Sequence, residues 1–438
     1  MRFFYNFEKE RRLPMISTAV LSLIMVLLFA TLSSAETANQ VPAVGLDALI
    51  DEALSNNPAL KATEDNVDVL SEKPSQEESL ENPRLGLSLL NLPVNSYSFD
   101  QEPMTQKQIS LLQRIPFPGK LPLKGAIARK DVDIAKEGVA EKRNNVILQV
   151  KTIYWNLLLI DKTLAVTKEN RDLLRDFVKT AETRYSVGTG IQQDVLKAQV
   201  ELSKMIDRLI LQEEIKENLL ARLNSLLYRP SGERLKDIAW QDLDALKQTP
   251  FPYTVEELEK MAEENRPELA SAKQRIERSR LGEQLAKKNY YPDFDVAVSY
   301  GQRENRPDFV SGSVMITIPL WFKTKEDRKL AEERARTRQV EDEYTSLKND
   351  IFFRLRDSVL EISKYKDQLD LYKNGLIPQG RAALESAMAG YGVNKVDFIT
   401  LVNNQITLYN YRIEYYKALT GFENTISDIE ATIGKRLY

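Results

Sequence analysis

The chain contains no cysteine and no histidine. Those two absences exclude disulfides, thiolate nucleophiles, zinc-finger ligands and every Ser-His or Cys-His catalytic pair. Methionine forms no cluster either, so no ordered site for a soft metal is evident. Charge of one sign is not in excess: the formal net charge is −3, which excludes both nucleic-acid binding by bulk charge and a disordered polyelectrolyte. Phosphate-binding loops are missing, because the one G-x-G, at Gly188, has no phosphate-loop pattern after it and Gly119-Lys120 has no upstream glycine. We therefore expect no enzymatic activity, no cofactor and no nucleic-acid partner. Long apolar runs are confined to the first 35 residues, so any later membrane crossing has to be made by strands.

That first stretch carries Arg11 and Arg12, an apolar run from Met15 to Leu32, then Ser33, Ser34 and Ala35. Basic, apolar and small-residue regions in that order describe a secretory signal cleaved near Ala35. A membrane anchor is the competing reading, since the run approaches spanning length. The polar Ser17, Thr18 and Ser22 and the small-residue exit favour cleavage. With no cysteine to acylate, the exported protein is expected not to be lipid-anchored.

The remainder is organised around a glycine-broken turn, RYSVGTGIQQDVLKA from Arg184 to Ala198, set between long polar helical patterns. It returns as GYGVNKVDFITLVNN from Gly390 to Asn404. Gly188, Gly190, Gly392 and Asn394 are expected to supply the positive φ of a sharp helix-to-helix reversal. One such tip does no more than reverse a chain; duplication adds meaning. Leu46–Leu60 matches Val255–Leu269, Asn82-Pro83 faces Tyr291-Pro292, Ile115-Pro116 faces Ile318-Pro319, and Tyr185 faces Tyr391. The landmarks keep one order at an offset of about 205 residues, the signature of two repeats of one plan. The chain then divides into a signal at 1–35, a first repeat at 36–229, a proline- and glycine-containing linker at 230–252, and a second repeat at 253–438.

Each repeat holds a short helix, two strands, a long helix, the tip and a shorter return helix. The first strands are Arg84 to Leu90, with Leu85, Leu87 and Leu89 on one face, and Lys107 to Ile115. In the second repeat Phe294, Val296, Val298 and Tyr300 alternate with Asp295, Ala297 and Ser299, and Val314, Ile316 and Ile318 with Ser313, Met315 and Thr317. A half-buried soluble sheet gives the same alternation. Yet no helical face is reserved to cover these strands, and in an exported protein a lipid-facing barrel fits the pattern.

The long helices, Lys120 to Ser186 and Trp321 to Ala389, each span about 100 Å, whereas the return helices, Gln192 to Tyr228 and Asn394 to Lys435, span about 55 to 60 Å. Short helices near Leu46–Glu72 and Tyr253–Lys288 have the missing length, so placed end to end with the return helices they complete each coil. Ile147, Val150, Tyr154, Leu157 and Leu164 form one seam on steps of three and four, with polar Asp161 in it; Ile362, Tyr365, Leu369, Tyr372 and Leu376 form the other.

Four strands cannot close a barrel, because the smallest closed forms need about eight. Several chains must contribute, which also removes exposed strand edges. The fold class expected is mainly α with a small β part: two repeats forming long coiled-coil helical hairpins, plus four strands given to a shared barrel. A ring of such chains makes a conduit that ends at two tips per chain. A periplasmic coiled-coil adaptor or rod with a small soluble sheet is the competing reading, and it would dissolve without detergent.

The paired NNPAL and NRPEL segments, the strands ending Ile115-Pro116 and Ile318-Pro319, and the tips RYSVG and GYGVN together resemble the TolC-like outer membrane efflux proteins, over essentially the whole mature chain. The resemblance implies a homotrimer with a twelve-stranded barrel in outer membrane lipid, a helical periplasmic tunnel, and tips gripped by a periplasmic adaptor linked to an inner-membrane transporter. The segment QRIPFPGKLPLKG, Gln113 to Gly125, looks most like the branch serving resistance-nodulation-division pumps for heavy-metal cations. The same duct can serve type I protein secretion.

The family's periplasmic mouth closes at the helices beyond the second tip, and its acidic ring falls here on Asn403, followed by Asn404; Asp397 is a displaced alternative. The family's latch, a tyrosine bonding an acid past the first tip, falls on Tyr391 and Asp194. The basic partner expected nearby is Val396 instead, so that the base is missing or moved to Lys395. Adaptor contact falls on Tyr185, Val187, Gly188, Gly190, Gly392 and Val393.

Overall fold

The computed structural model describes residues 45–233, 241–246 and 250–438. The expected signal at 1–35 and parts of the linker lie outside the described residues. In chain order the elements are α1 (Leu46–Asn56), α2 (Pro58–Ser71), α3 (Lys73–Glu78), β1 (Arg84–Leu90), β2 (Gln106–Ile115), α4 (Lys120–Ser186) and α5 (Gln192–Leu227). There follow α6 (Val255–Asn265), α7 (Pro267–Lys288), β3 (Asp293–Gln302), β4 (Phe309–Thr317), α8 (Glu326–Asp370), a π-helical turn (Leu371–Leu376), α9 (Ile377–Gly392) and α10 (Phe398–Ile433). Lys120 corresponds to Glu326, Ser186 to Gly392, Gln192 to Phe398 and Leu227 to Ile433, all at one constant offset.

The strands form one antiparallel sheet in the order β1-β2-β3-β4. Paired residues share a face, so the register places Leu87, Ile109, Tyr300 and Val310 in one row and Leu85, Leu111, Val298 and Gly312 in another. Between them lies the row Gly86, Ser110, Ser299 and Ser311. Period-two alternation thus builds one apolar face and one polar face across all four strands. The polar face is kept small: a Cβ on Gly86 would stand 2.7 Å from Ser110 Oγ, and Gln108 Nε2 donates to Ser299 Oγ at 2.9 Å. Leu85, Leu87, Ile109, Leu111, Val298 and Val310 are exposed. No helix packs across the sheet among the described residues. β1 and β4 are its two edges.

Each strand joins a helix, so strand order is repeated in the helices: α3 enters β1, β2 leads to α4, α7 enters β3, and β4 leads to α8. α4 packs on α1–α3 and α5, and also on α7 and α10; α8 packs on α6, α7 and α10. The rods therefore lie in the order α1–α3 with α5, then α4, then α6–α7 with α10, then α8 with α9. Val150, Tyr154, Leu157 and Leu164 are buried along α4, and the polar seam residue Asp161 meets Lys216 of α5 at 2.6 Å. In the second repeat Ile362 and Leu369 are buried, whereas Tyr365, Tyr372 and Leu376 are only partly covered. The heptad pattern predicts core at all five; among the described residues α8 has a neighbour on one side only.

The NNPAL and NRPEL segments make the two-piece rods. The last carbonyls of a helix have no partner within it. Asn56 Nδ2 reaches the Leu227 carbonyl at the end of α5 (3.5 Å), while Asn57 Oδ1 accepts from Leu60 N at 3.0 Å and caps α2. In the second repeat Arg266 Nη1 donates to the carbonyls of Ala431 and Thr432, both at 3.0 Å, at the end of α10, and Glu268 accepts from Nη2 at 2.6 Å. Each return helix therefore abuts a short helix, and the pair runs the length of its long partner. The close approach fixes Gly434, whose φ is +73° and whose Cβ would stand 2.6 Å from the Asn265 carbonyl.

The long helices match in length, 67 residues in α4 against 45, 6 and 16 in α8, the π turn and α9. The π turn lies just before Pro378, which has no N–H and crowds the carbonyl four residues back. A wider turn absorbs both defects. The pattern predicts helix from Trp321; the helix starts instead at Glu326, because Pro319 and the turn closed by Thr324 N on Trp321 O (3.0 Å) intervene.

Candidate functional site

The two tips are built alike. Thr189 N donates to Arg184 O at 2.9 Å, and Lys395 N, at the same place in the second tip, to Gly390 O at 2.9 Å. Positive φ falls on the same place in each, Gly188 at +76° and Asn394 at 61°. Gly190 and Gly392 do not share it, contrary to expectation. Gly190 is needed for space, since a Cβ would stand 3.1 Å from Arg184 Cβ, whereas nothing lies near a Cβ on Gly392. Tyr185, Val187 and Val393 are exposed around these turns and form an apolar end.

The tips are joined by a residue that sequence reasoning missed. Arg184 ends α4 with its guanidinium 4.4 Å over the Tyr391 ring, and its Nη1 donates to the Tyr391 carbonyl at 2.5 Å. The base of this cluster is therefore neither Lys395 nor position 396; Val396 packs instead where a Cβ on Gly390 would meet its Cγ2 at 2.5 Å. An arginine in the last helical turn beside the tip aromatic was the available signal, favoured there by the helix dipole. The Tyr391 ring is buried against Phe398 at 5.5 Å, which in turn meets Phe177 at 6.5 Å.

Tyr391 Oη is buried and has no hydrogen-bond partner among the described residues. Tyr391 and Asp194 are near one another but are not bonded through that hydroxyl. Burial pushes the Asp194 carboxyl above the usual carboxylate range, the like charge of Asp397 adds to the rise, and Arg184 opposes it. Burial also raises Tyr391, again against the pull of Arg184. Asp397 caps α10, accepting from Thr400 N at 2.7 Å, and those hydrogen bonds hold its carboxyl below the usual range. Asn403 is exposed, while Asn404 is half-buried with Nδ2 3.4 Å from the Ala383 carbonyl. The site thus brings Arg184, Asp194, Tyr391 and Asp397 together and leaves the two amides farther along α10.

No helix among the described residues is long and apolar enough to cross a membrane, and the sheet carries an exposed apolar face. Residues 49–227 and 258–434 match the family model of outer membrane efflux proteins. Over 321 residues the chain is 21% identical to the cobalt-zinc-cadmium resistance protein CzcC of Cupriavidus metallidurans, covering 73% of this chain and 75% of that one. Its fold is similar to that of the outer-membrane channel OprN, with TM-score 0.77 at 14% identity over 89% of each chain. It is also similar to the outer membrane protein VceC of Vibrio cholerae, with TM-score 0.75 at 14% identity over 90% of this chain and 97% of that one. The protein is an outer membrane efflux protein and not an enzyme. The family match takes in both repeats, with their strands, long helices and tips, and on that ground the chain belongs to the outer membrane efflux protein family.

Proposed function

We propose that three copies of this chain close a twelve-stranded barrel and a helical tunnel, the passive exit duct of a tripartite efflux system across the periplasm and outer membrane. The observation that carries this reading is the sheet: one continuous exposed apolar face, two open edges and too few strands to close alone. Below it the rods, about 100 Å long, end at paired tips. The tips gate the duct through Arg184, Asp194, Tyr391 and Asp397, with Asn403 and Asn404 as an amide constriction. Tyr185, Val187, Gly188, Gly190, Gly392 and Val393 receive a periplasmic adaptor linked to an inner-membrane pump. Similarity to a cobalt-zinc-cadmium resistance protein supports divalent heavy-metal cations as cargo. The chain has no cysteine to carry a lipid.

The test is the mass of the full-length protein extracted from outer membranes in detergent, by light scattering with the detergent contribution subtracted. Three chains per particle are expected; a monomer that stays soluble without detergent overturns the reading. For the cargo, a host lacking the gene should lose resistance to cobalt, zinc or cadmium and regain it on complementation. Unchanged resistance to all three would remove that cargo.

A further inference from the structure

Within the chain, the second repeat covers α4 through a row of polar contacts. Lys120 Nζ lies 2.7 Å from Asp293 Oδ1, and Lys130 pairs with Glu277 and donates to Gln274 Oε1 at 2.8 Å. α8 holds the place of α4 in the second repeat and has no such cover among the described residues. The offset that aligns α4 with α8 carries Lys120 to Glu326 and Lys130 to Arg336. The offset that aligns Pro58 with Pro267 and Pro83 with Pro292 carries Asp293, Gln274 and Glu277 to Arg84, Asp65 and Asp68. We infer that a second copy of this chain covers the open side of α8 with its α2, α3 and β1, joined by a Glu326–Arg84 ion pair and by Arg336 against Asp65 and Asp68 of the partner subunit. This rests on the reading of the chain as one subunit of a closed ring.

The charges agree with the transposition. The Lys–Asp pair becomes Glu–Arg, inverted but still opposite, and the second cluster keeps its sign, so nowhere does like charge meet like. Four of the side chains concerned, Glu326, Arg84, Asp65 and Asp68, are weakly held or unpaired among the described residues, whereas Arg336 is shared with Glu332 at 3.4 Å and Glu333 at 3.8 Å on its own helix. Glu326 is only 7% exposed, its Oε2 has no hydrogen-bond partner among the described residues, and its nearest cation, Lys325, is 3.9 Å away. A buried carboxylate in that state is unfavourable until paired. Among the described residues Arg84 is exposed and held only by Glu81 at 4.0 Å, and Asp65 and Asp68 are exposed. Lower on α8, exposed Phe353 and Leu360 stand where α4 has Ile147 and the buried Tyr154. The opposite edge of the layer offers exposed Val200, Ile206 and Ile210 on α5.

The same step fixes strand register at the seam. Ile115 pairs with Phe294 inside the chain, so Ile318 falls opposite Leu85, Ile316 opposite Leu87 and Val314 opposite Leu89 of the partner subunit. The apolar face then continues across the seam; a slip of one residue would turn it to the polar side.

The chain has no native cysteine, so introduced pairs are its only thiols. Full-length protein carrying Ile316→Cys with Leu87→Cys, oxidised in the outer membrane, should give covalent multimers on non-reducing gels. Ile316→Cys with Leu85→Cys, or with Leu89→Cys, should give few. In parallel, Glu326→Arg should lose most of the trimer seen by light scattering, and Glu326→Arg with Arg84→Glu should restore it. Trimers that survive Glu326→Arg unchanged, or cross-linking that prefers position 85 or 89, overturn this seam while leaving the ring intact. Should Glu326→Arg fail to accumulate, the cysteine pairs still decide. Monomers from the unsubstituted chain overturn the ring itself.

Discussion

The helices α4 and α8 have the same length, the same relation to a strand and a tip, and opposite surroundings. Tyr154 of α4 is fully buried, while Leu360 at the corresponding place in α8 is 63% exposed. The sequence follows the difference: Val150, Leu157 and Leu158 of α4 correspond to Arg356, Ser363 and Lys364 of α8. α4 is written as a helix with neighbours on both sides. α8 is written as an edge, with isolated apolar anchors such as Phe353 among charges. An edge of that kind carries no long exposed apolar stripe, which is what the proposed passage through the periplasm would require.

Truncating the two helices at matched positions tests the comparison most severely. Tyr154→Ala should cost about 3 to 5 kcal/mol through the cavity it leaves, and Leu360→Ala should stay within about 0.5 kcal/mol for the fold while weakening association. Thermal melting followed by circular dichroism in detergent reads the first effect, and particle mass reads the second. If the two variants melt together, α4 and α8 are not inner and edge helices.

The return helices repeat the contrast. Glu423 of α10 is largely buried, and desolvation, with the Glu430 charge added and Lys151 opposing, raises its carboxyl to about 7. Glu217 at the corresponding place on α5 is exposed. A carboxyl raised on folding binds its proton more tightly in the native state, so the stability linked to it is complete below about pH 4.5 and is lost as pH rises through about 7. Glu423→Gln should therefore stabilise by about 3 kcal/mol at pH 8 and change little near pH 4. Glu217→Gln should do nothing at either pH. Melting curves at the two pH values check it, and equal effects at both would remove the burial account.

The rod junctions differ in strength for a similar reason. Arg266 is a buried cation holding two carbonyls and Glu268, so Arg266→Ala should cost about 2 to 3 kcal/mol. Asn57→Ala removes an N-cap worth about 1 kcal/mol. Urea titration should rank them in that order; the reverse order would mean that the second junction is held by packing and not by the guanidinium.

These junctions were legible as motifs but not as contacts. NNPAL and NRPEL announce a proline at a helix start, which is local chemistry; that each also closes the end of a helix far along the chain depends on tertiary placement. The apolar face of the sheet was legible because alternation of Phe294, Val296, Val298 and Tyr300 is a local pattern. Periodicity marks a face and does not say which neighbour covers it, which is why the seam through Tyr365, Tyr372 and Leu376 looked like core. Pro378 carried the signal for the π turn. Arg184 could not be paired with Tyr391 by any local rule, since the contact joins two hairpins.

That contact gives the smallest effect on stability and the sharpest test at the tip. Tyr391 Oη has no partner among the described residues, so Tyr391→Phe removes a buried unbonded hydroxyl and, on the proposed gating, should leave conductance unchanged or slightly lower. Arg184→Ala removes a stacked cation, worth about 0.5 to 2 kcal/mol, together with its bond to the Tyr391 carbonyl, and should raise single-channel conductance in planar bilayers. It also removes the charge that opposes the rise of Asp194. Because that carboxyl is raised, it ionises later than an ordinary carboxylate. Its contribution to the closed tip is then lost as pH rises through its own titration, when it comes to repel Asp397. Conductance should increase with pH over that range, and Asp397→Asn, which keeps an N-cap, should flatten the dependence. If instead Tyr391→Phe opens the channel as far as Arg184→Ala does, the tyrosine hydroxyl holds the mouth through Asp194, and the arginine only packs beside it.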